Sequence, residues 1–167
     1  LQQAGFKAFL VGGAVRDLLL GVKPKDFDIA TNATPEQVKR LFRRAFIIGK
    51  RFQIVHVMFG QDLLEVTTFR GASTEAAPKD EHGRVLRDNT FGKQHEDALR
   101  RDFTINAMYY DPATQTVLDY HGGMADIRNK TLRIIGVPEA RYREDPVRML
   151  RVVRFAAKLN FAIDPDT

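Results

Sequence analysis

Residues Leu10 to Asp28 read LVGGAVRDLLLGVKPKDFD, and this stretch decides the fold. A short apolar strand, Phe9-Leu10-Val11, runs into the pair Gly12-Gly13; helical spacing follows from Ala14 to Leu20 and ends in a turn at Gly21. The stretch closes on two aspartates one residue apart, Asp26-Phe27-Asp28. In a strand, alternation puts Asp26 and Asp28 on one face and Phe27 on the other. Two carboxylates on one face repel unless positive charge lies between them. A hard divalent cation such as Mg2+, which takes oxygen ligands, meets that need. Glycines, lacking side chains, let backbone N–H groups approach a phosphate at the start of a helix. A phosphate site beside a metal site outlines a phosphoryl- or nucleotidyl-transfer centre.

Beyond Asp28 the pattern alternates. Thr34 followed by Pro35 reads as a helix N-cap with proline at the first helical position, and the spacing predicts a helix to about Arg44 with Val38, Leu41 and Phe42 on its apolar side. Phe46 to Ile48, Gln53 to Phe59 and Leu63 to Phe69 read as strands, the third carrying Glu65. The expected order is strand, helix, strand, helix, then an antiparallel meander: an α+β domain whose sheet is open on one side. Gly71 to Glu96 is polar, with a short apolar island at Val85-Leu86, and reads as a long functional loop. Order resumes at Ala98 to Tyr110, followed by a turn at Asp111-Pro112 and strands at Val117 to Tyr120 and Thr131 to Ile135. Gly136 and Pro138 mark a boundary. Pro146 to Leu159 has helical periodicity, with Leu150, Val153 and Ala157 expected on one side and the arginines towards another.

The chain has 167 residues, 44% of them hydrophobic, and carries a net charge of +5 from 26 basic and 21 acidic residues. That suits one domain, or one domain and a piece of a second, with enough apolar content for a core. A basic balance favours a polyanionic partner such as nucleic acid. The charge is also clustered: Lys39, Arg40, Arg43, Arg44, Lys50 and Arg51 fall in one acid-free run, and arginine dominates from Arg141 to Lys158. There are no cysteines, so disulfides and thiolate metal sites are excluded. No secretory signal is visible and no apolar run approaches ~18 residues, so the expectation is a soluble, cytoplasmic protein without a membrane partner. The start at Leu1 without Met and the stop just after a helical pattern read as a fragment of a longer chain.

Several chemistries fail on inspection. The sequence has no G-x-x-x-x-G-K-[ST] phosphate loop, no G-x-G-x-x-G dinucleotide motif, and no calcium loop of EF-hand type. His56, His82, His95 and His121 lack zinc-ligand spacing and read as structural or solvated.

Taken together, Gly12-Gly13, Arg16-Asp17, Asp26-x-Asp28, Arg100-Arg101-Asp102-Phe103-Thr104-Ile105-Asn106 and Glu144-Asp145-x-x-Arg148 resemble the class II nucleotidyltransferases. That family holds the CCA-adding tRNA nucleotidyltransferases and the bacterial poly(A) polymerases. The likeness covers nearly the whole chain in order. It implies a polymerase-beta-like head with a mixed sheet and flanking helices over 1–137, and the start of an all-helical neck, concerned with nucleotide recognition, over 138–167. It also implies a two-metal mechanism with two Mg2+ ions, which activate the RNA 3′-hydroxyl and neutralise the α-phosphate and the leaving pyrophosphate. Asp26 and Asp28 would be metal ligands, and Glu65 resembles the third carboxylate. Gly12, Gly13 and Arg16 would hold the triphosphate; Asp17 joins that set, or pairs with Arg16 and fixes its rotamer. By resemblance Arg101, Asp102 and Asn106 belong to the sugar site, with Asp102 sensing the 2′-hydroxyl.

Asp145 and Arg148 lie one helical turn apart and share a face. Asp145 accepting from an exocyclic amine and Arg148 donating to the adjacent ring nitrogen would select adenine and cytosine, which present that edge, over guanine and uracil. By spacing alone, Asp145-Pro146 reads equally as a helix cap, and Glu144 as the partner of Arg148; the resemblance favours base reading. Within the family, Ile47-Ile48-Gly49-Lys50-Arg51-Phe52-Gln53-Ile54-Val55-His56-Val57 resembles the poly(A) polymerase subgroup. The implied function is addition of AMP from ATP to RNA 3′ ends of mRNA or other transcripts. CCA addition to tRNA from CTP and ATP is the alternative, and a non-catalytic RNA-binding module is a third reading.

Overall fold

The computed structural model describes residues 1–50, 52–71 and 90–167. Arg51, His82, Val85-Leu86 and most of the expected polar loop lie outside the described residues. In chain order, a 3-10 turn (Gln2–Ala4) leads to β1 (Ala8–Val11), α1 (Gly13–Leu19), β2 (Phe27–Thr31) and α2 (Pro35–Leu41). Strands β3 (Ala45–Ile48), β4 (Ile54–Phe59) and β5 (Asp62–Thr68) follow, then α3 (Gln94–Leu99), a 3-10 turn (Thr104–Asn106), β6 (Met108–Asp111) and β7 (Thr116–Asp119). The chain ends with α4 (Gly123–Arg128), β8 (Thr131–Leu132), α5 (Pro138–Glu144), α6 (Val147–Leu159) and β9 (Ala162–Ile163). Two compact units result: Leu1–Leu10 with Lys25–Asp97, and Val11–Pro24 with Ala98–Thr167. Among the described residues no helix is long and apolar enough to cross a membrane.

The first unit is built on a mixed sheet with strand order β3-β4-β5-β2-β1. The β3–β4 and β4–β5 pairs are antiparallel, as the meander reading requires, whereas β5 returns parallel to β2. Alternation sends Ala45, Val55, Val57 and Val66 to one face, where they form a core with Ala33 and Val38 of α2. The start of α2 follows from its sequence. Thr34 Oγ1 accepts from the Gln37 N–H, Gln37 Oε1 accepts from the Thr34 N–H, and Pro35 takes the first turn. The helix stops at Leu41, three residues before the expected Arg44, because Phe42 turns extended and sets its ring edge-on against Phe59 at 5.7 Å.

In the second unit β6 and β7 form an antiparallel hairpin. Asp119 at its end accepts from the N–H groups of Gly123 and Met124 and so opens α4. Gly123 is required by close approach: a Cβ there would lie 2.3 Å from the Thr104 carbonyl oxygen. The expected strand at Thr131 to Ile135 divides into β8, parallel to β9, and a single bridge from Ile134 to Phe103.

Pro138, read as a boundary, opens the helix α5 at its first turn, where the resemblance implies that helical structure begins. Asp145, which precedes Pro146 and is extended, separates α5 from α6. In α6 the buried residues are Val152 and Phe155, whereas Leu150 and Val153 are 72% and 65% exposed. The packed side is the arginine side, because Phe155 is a platform for guanidinium groups. Arg16, Arg151 and Arg154 lie 5.2, 5.2 and 4.9 Å from its ring centre, and Phe103 meets it edge-on at 5.7 Å.

Gly123→Ala is predicted to destabilise the protein by about 1–3 kcal/mol, the range for forcing extra atoms into a packed contact. The urea-unfolding midpoint checks this, and an unchanged midpoint contradicts the packing described.

Candidate functional site

The carboxylates read as catalytic, Asp26, Asp28 and Glu65, belong to the first unit. Register aligns Asp28 of β2 with Glu65 of β5, Glu65 with His56 of β4, and His56 with Phe46 of β3. Residues in register share a face. Asp28, Glu65, His56 and Phe46 therefore form one row across four adjacent strands, on the face opposite Val55, Val57 and Val66. Helix α2 covers that opposite face, so Lys39 and Arg40 stand on the side of the sheet away from Asp28 and Glu65. His56 Nε2 lies 3.2 Å from Glu65 Oε1. Asp26 is exposed and directly precedes β2, so only Asp28 of the two aspartates lies within the sheet.

This donor set is all oxygen and fits a hard cation. Mg2+ is commonly held by one or two carboxylates together with substrate phosphates rather than by an all-protein cage. Among the described residues no three groups are gathered closely enough to hold a metal ion by themselves.

The second unit gathers most of the other predicted residues. Gly12 (φ 73°) passes the chain from β1 into α1 in a conformation that side-chain-bearing residues rarely adopt. A Cβ at Gly12 would lie 3.6 Å from Arg101 Nη1, and one at Gly13 would lie 3.3 Å from Arg16 Nη2. Arg16 is buried: Nε donates to Asp17 Oδ1 at 2.9 Å, Nη2 pairs with the same oxygen at 2.8 Å, and Nη1 donates to Asn106 Oδ1 at 2.7 Å. Asp17 thus pairs with Arg16. Asn106 Nδ2 donates to Asp102 Oδ1 at 3.3 Å, and that oxygen also accepts from the Phe103 N–H at 2.7 Å. Asp102 Oδ2 accepts from Arg151 Nε at 2.7 Å and pairs with Nη2 at 2.5 Å. Arg101 donates to the Tyr109 hydroxyl at 3.3 Å. Arg100, Arg101 and Asp102 lie in no strand, as their mixed charge predicts.

Asp145 and Arg148 sit at the start of α6 with their side chains otherwise engaged. Asp145 Oδ1 accepts from the Val147 N–H at 3.2 Å. Arg148 Nη1 donates to Glu144 Oε2 at 3.0 Å and to the Arg141 carbonyl at 2.8 Å. Arg141 in turn donates through Nη2 to the carbonyls of Arg100 and Arg101, at 2.9 and 2.6 Å, and through Nη1 to Glu144 Oε2 at 2.8 Å. Burial, and next the charge of Arg148, pull the Arg141 pKa below its ordinary value; Glu144 and Asp102 act the other way.

Sequence reading missed His56, Arg141 and Arg151. His56 had a signal, since it sits between Val55 and Val57 and must face away from both. Its pairing with Glu65 depends on register, which alternation does not supply. Arg151 and Arg141 were counted only as surface charge, yet both are bound to Asp102 or to its neighbouring backbone.

The chain matches the model of the family described as "Poly A polymerase head domain" over residues 8–133. Poly(A) polymerase I of Salmonella typhi is 58% identical over 173 residues, covering 100% of this chain and 37% of its own length. The CCA-adding enzyme of Bacillus subtilis (strain 168) is 44% identical over 167 residues, covering 100% of this chain and 41% of its own length. The crystal structure of the Bacillus stearothermophilus CCA-adding enzyme in complex with CTP superposes with a TM-score of 0.83 at 42% identity, covering 100% of this chain and 39% of that one. The chain thus spans about two fifths of the length of these relatives.

Asn106→Leu removes the acceptor of buried Arg16 and a donor to Asp102 at once. It is predicted to destabilise the protein by about 1–3 kcal/mol, the cost of leaving a buried donor unpaired. Chemical denaturation reads this directly.

Proposed function

Because the chain belongs to the poly(A) polymerase head domain family, we propose that the protein carrying it adds AMP from ATP to RNA 3′ ends without a template. The observation that carries the catalytic reading is the register of Asp28 with Glu65, which sets two carboxylates side by side on the sheet face opposite α2. Asp26 and Asp28 would hold Mg2+, two ions in all. Bound there, the ions supply Lewis-acid activation of the RNA 3′-hydroxyl and neutralise charge on the α-phosphate and the leaving pyrophosphate.

The chain's own residues bind and orient the nucleotide. In this reading the Gly12-Gly13 backbone and the Arg16 guanidinium face the triphosphate. The hydrogen bonds of Arg16 to Asp17 and Asn106 support a fixed rotamer for that role. Asp102, held by Asn106 and Arg151, meets the ribose 2′-hydroxyl, with Arg101 beside it. Asp145 and Arg148 read the base edge, and Arg148 would exchange Glu144 and the Arg141 carbonyl for the base or donate to both. The head would span 1–137, with the nucleotide-recognition neck beginning at 138.

Identity of 58% to a poly(A) polymerase I over the whole chain supports ATP and an RNA such as mRNA as substrates. CCA addition to tRNA is the second reading, supported by the 44% identity to a CCA-adding enzyme and by the likeness to one in complex with CTP. The absence of cysteines agrees with a cytoplasmic setting.

The test supplies Mg2+ with ATP alone or CTP alone to the full-length protein, on an unstructured RNA and on a tRNA lacking its CCA end. Long A-tails on the unstructured RNA are expected. CTP incorporation confined to tRNA establishes CCA addition instead, and no incorporation at all returns the chain to RNA binding without catalysis. Asp28→Ala is expected to abolish Mg2+-dependent incorporation. Arg148→Ala is expected to relax base choice, and unchanged discrimination against GTP and UTP in that variant contradicts the base-reading role. RNA affinity should fall steeply between low and moderate salt as basic side chains release counterions; a flat titration argues against phosphate contacts.

A further inference from the structure

His56 enters neither the reading above nor the core, yet it touches Glu65. The two residues are partners across β4 and β5, with Nε2 3.2 Å from Oε1. An ionised carboxylate only accepts hydrogen bonds, so Nε2 carries the hydrogen between them. The imidazole is the better anchored partner. Its side chain is 24% exposed against 45% for Glu65, and its chain neighbours Val55 and Val57 are each 1% exposed in the core below. A glutamate at mid-strand, half in solvent, has three free torsions and loses them only when something holds its tip.

The direction of the contact matters as well. Glu65 lies between β2, which brings Asp28, and β4, which brings His56. The imidazole therefore takes Glu65 from the side away from Asp28 and occupies one carboxylate oxygen. Oε2 is left for whatever Asp28 and Glu65 serve together. Partially exposed ion pairs add little to stability, so this contact is expected to show itself in the orientation of Glu65 rather than in melting.

We propose that His56 is a positioning residue that holds the Glu65 carboxylate in line with Asp28 by donating from Nε2 to Oε1. The inference rests on the proposed function, in which the register of Glu65 with Asp28 carries the catalytic reading. It assigns His56 no contact with substrate.

The experiment measures ATP incorporation into an RNA primer with Mg2+ by the full-length protein, in steady state and in single turnover. The set comprises wild type, His56→Leu, His56→Gln, His56→Asn, Glu65→Gln and the His56→Leu/Glu65→Gln double variant. His56→Leu is expected to lower kcat on the order of tenfold, as loss of a carboxylate's orienting partner does, with the KM for ATP and the melting temperature unchanged. His56→Gln, whose amide reaches the same oxygen, is expected to restore most of the rate. His56→Asn, which keeps an amide but falls short of Oε1, is expected to behave as His56→Leu and serves in its place should the leucine variant not fold. In the Glu65→Gln background, His56→Leu is expected to add no further loss. Wild-type kcat in His56→Leu or His56→Asn, no rescue by glutamine, or equal losses in both Glu65 backgrounds overturns the inference. A wild type that incorporates nothing overturns the proposed function itself, and the inference with it.

Discussion

A buried guanidinium brings five N–H donors that must find acceptors, and Arg16 is 4% exposed. Much of the second unit follows from meeting that demand. Asp17 supplies one acceptor from the same helix, and Asn106 supplies another from a turn ninety residues away in sequence. Asn106 then reaches Asp102, and Asp102 reaches Arg151 on α6. Phe155, one turn further along α6, receives the Arg16 and Arg151 guanidinium groups on its ring. A single buried cation thereby ties α1, the Thr104–Asn106 turn and α6 into one hydrogen-bonded and stacked unit. Removing Asp17 or Asn106 leaves the buried Arg16 without one of its acceptors, which makes this part of the network unforgiving.

The first unit answers a different constraint. Four adjacent strands bury one face beneath α2, and the opposite face is where charge is tolerated. Period-two alternation along β4 and β5 separates Val55, Val57 and Val66 from His56 and Glu65 without exception. The same rule makes the carboxylate row incompatible with a register slip. A shift of one residue would send Glu65 into the core and Val66 to the surface.

Much of this was legible in the sequence. The strand and helix around Gly12-Gly13, the Thr34-Pro35 cap and the three-strand meander rest on local patterns, and local patterns are what alternation and capping encode. The polymerase-type head was readable because its motifs are short, specific and in order. Periodicity separated the two sides of α6 without saying which one packs; the ring of Phe155 makes the arginine side the packed one. Helix α5 falls within the stretch that the resemblance made helical, although residue spacing did not delimit it: proline signals a stop and a start equally well. His56, Arg141 and Arg151 became meaningful only through partners far along the chain, Arg151 and Asp102 being 49 residues apart. No single-sequence periodicity reports such pairings.

The parallel pairing of β2 with β5 orders events in time as well as in space. Strands β3, β4 and β5 are successive antiparallel neighbours, so their ladder forms from contacts near in sequence. The β2–β5 pair spans α2 and two intervening strands, a non-local contact of the kind that forms slowly. Glu65 and His56 are therefore expected to pair early, within one hairpin, and Asp28 to join them when the crossover closes. On that order the aligned row of carboxylates is a late product of folding, and a nascent chain that has not yet made β5 has no such row.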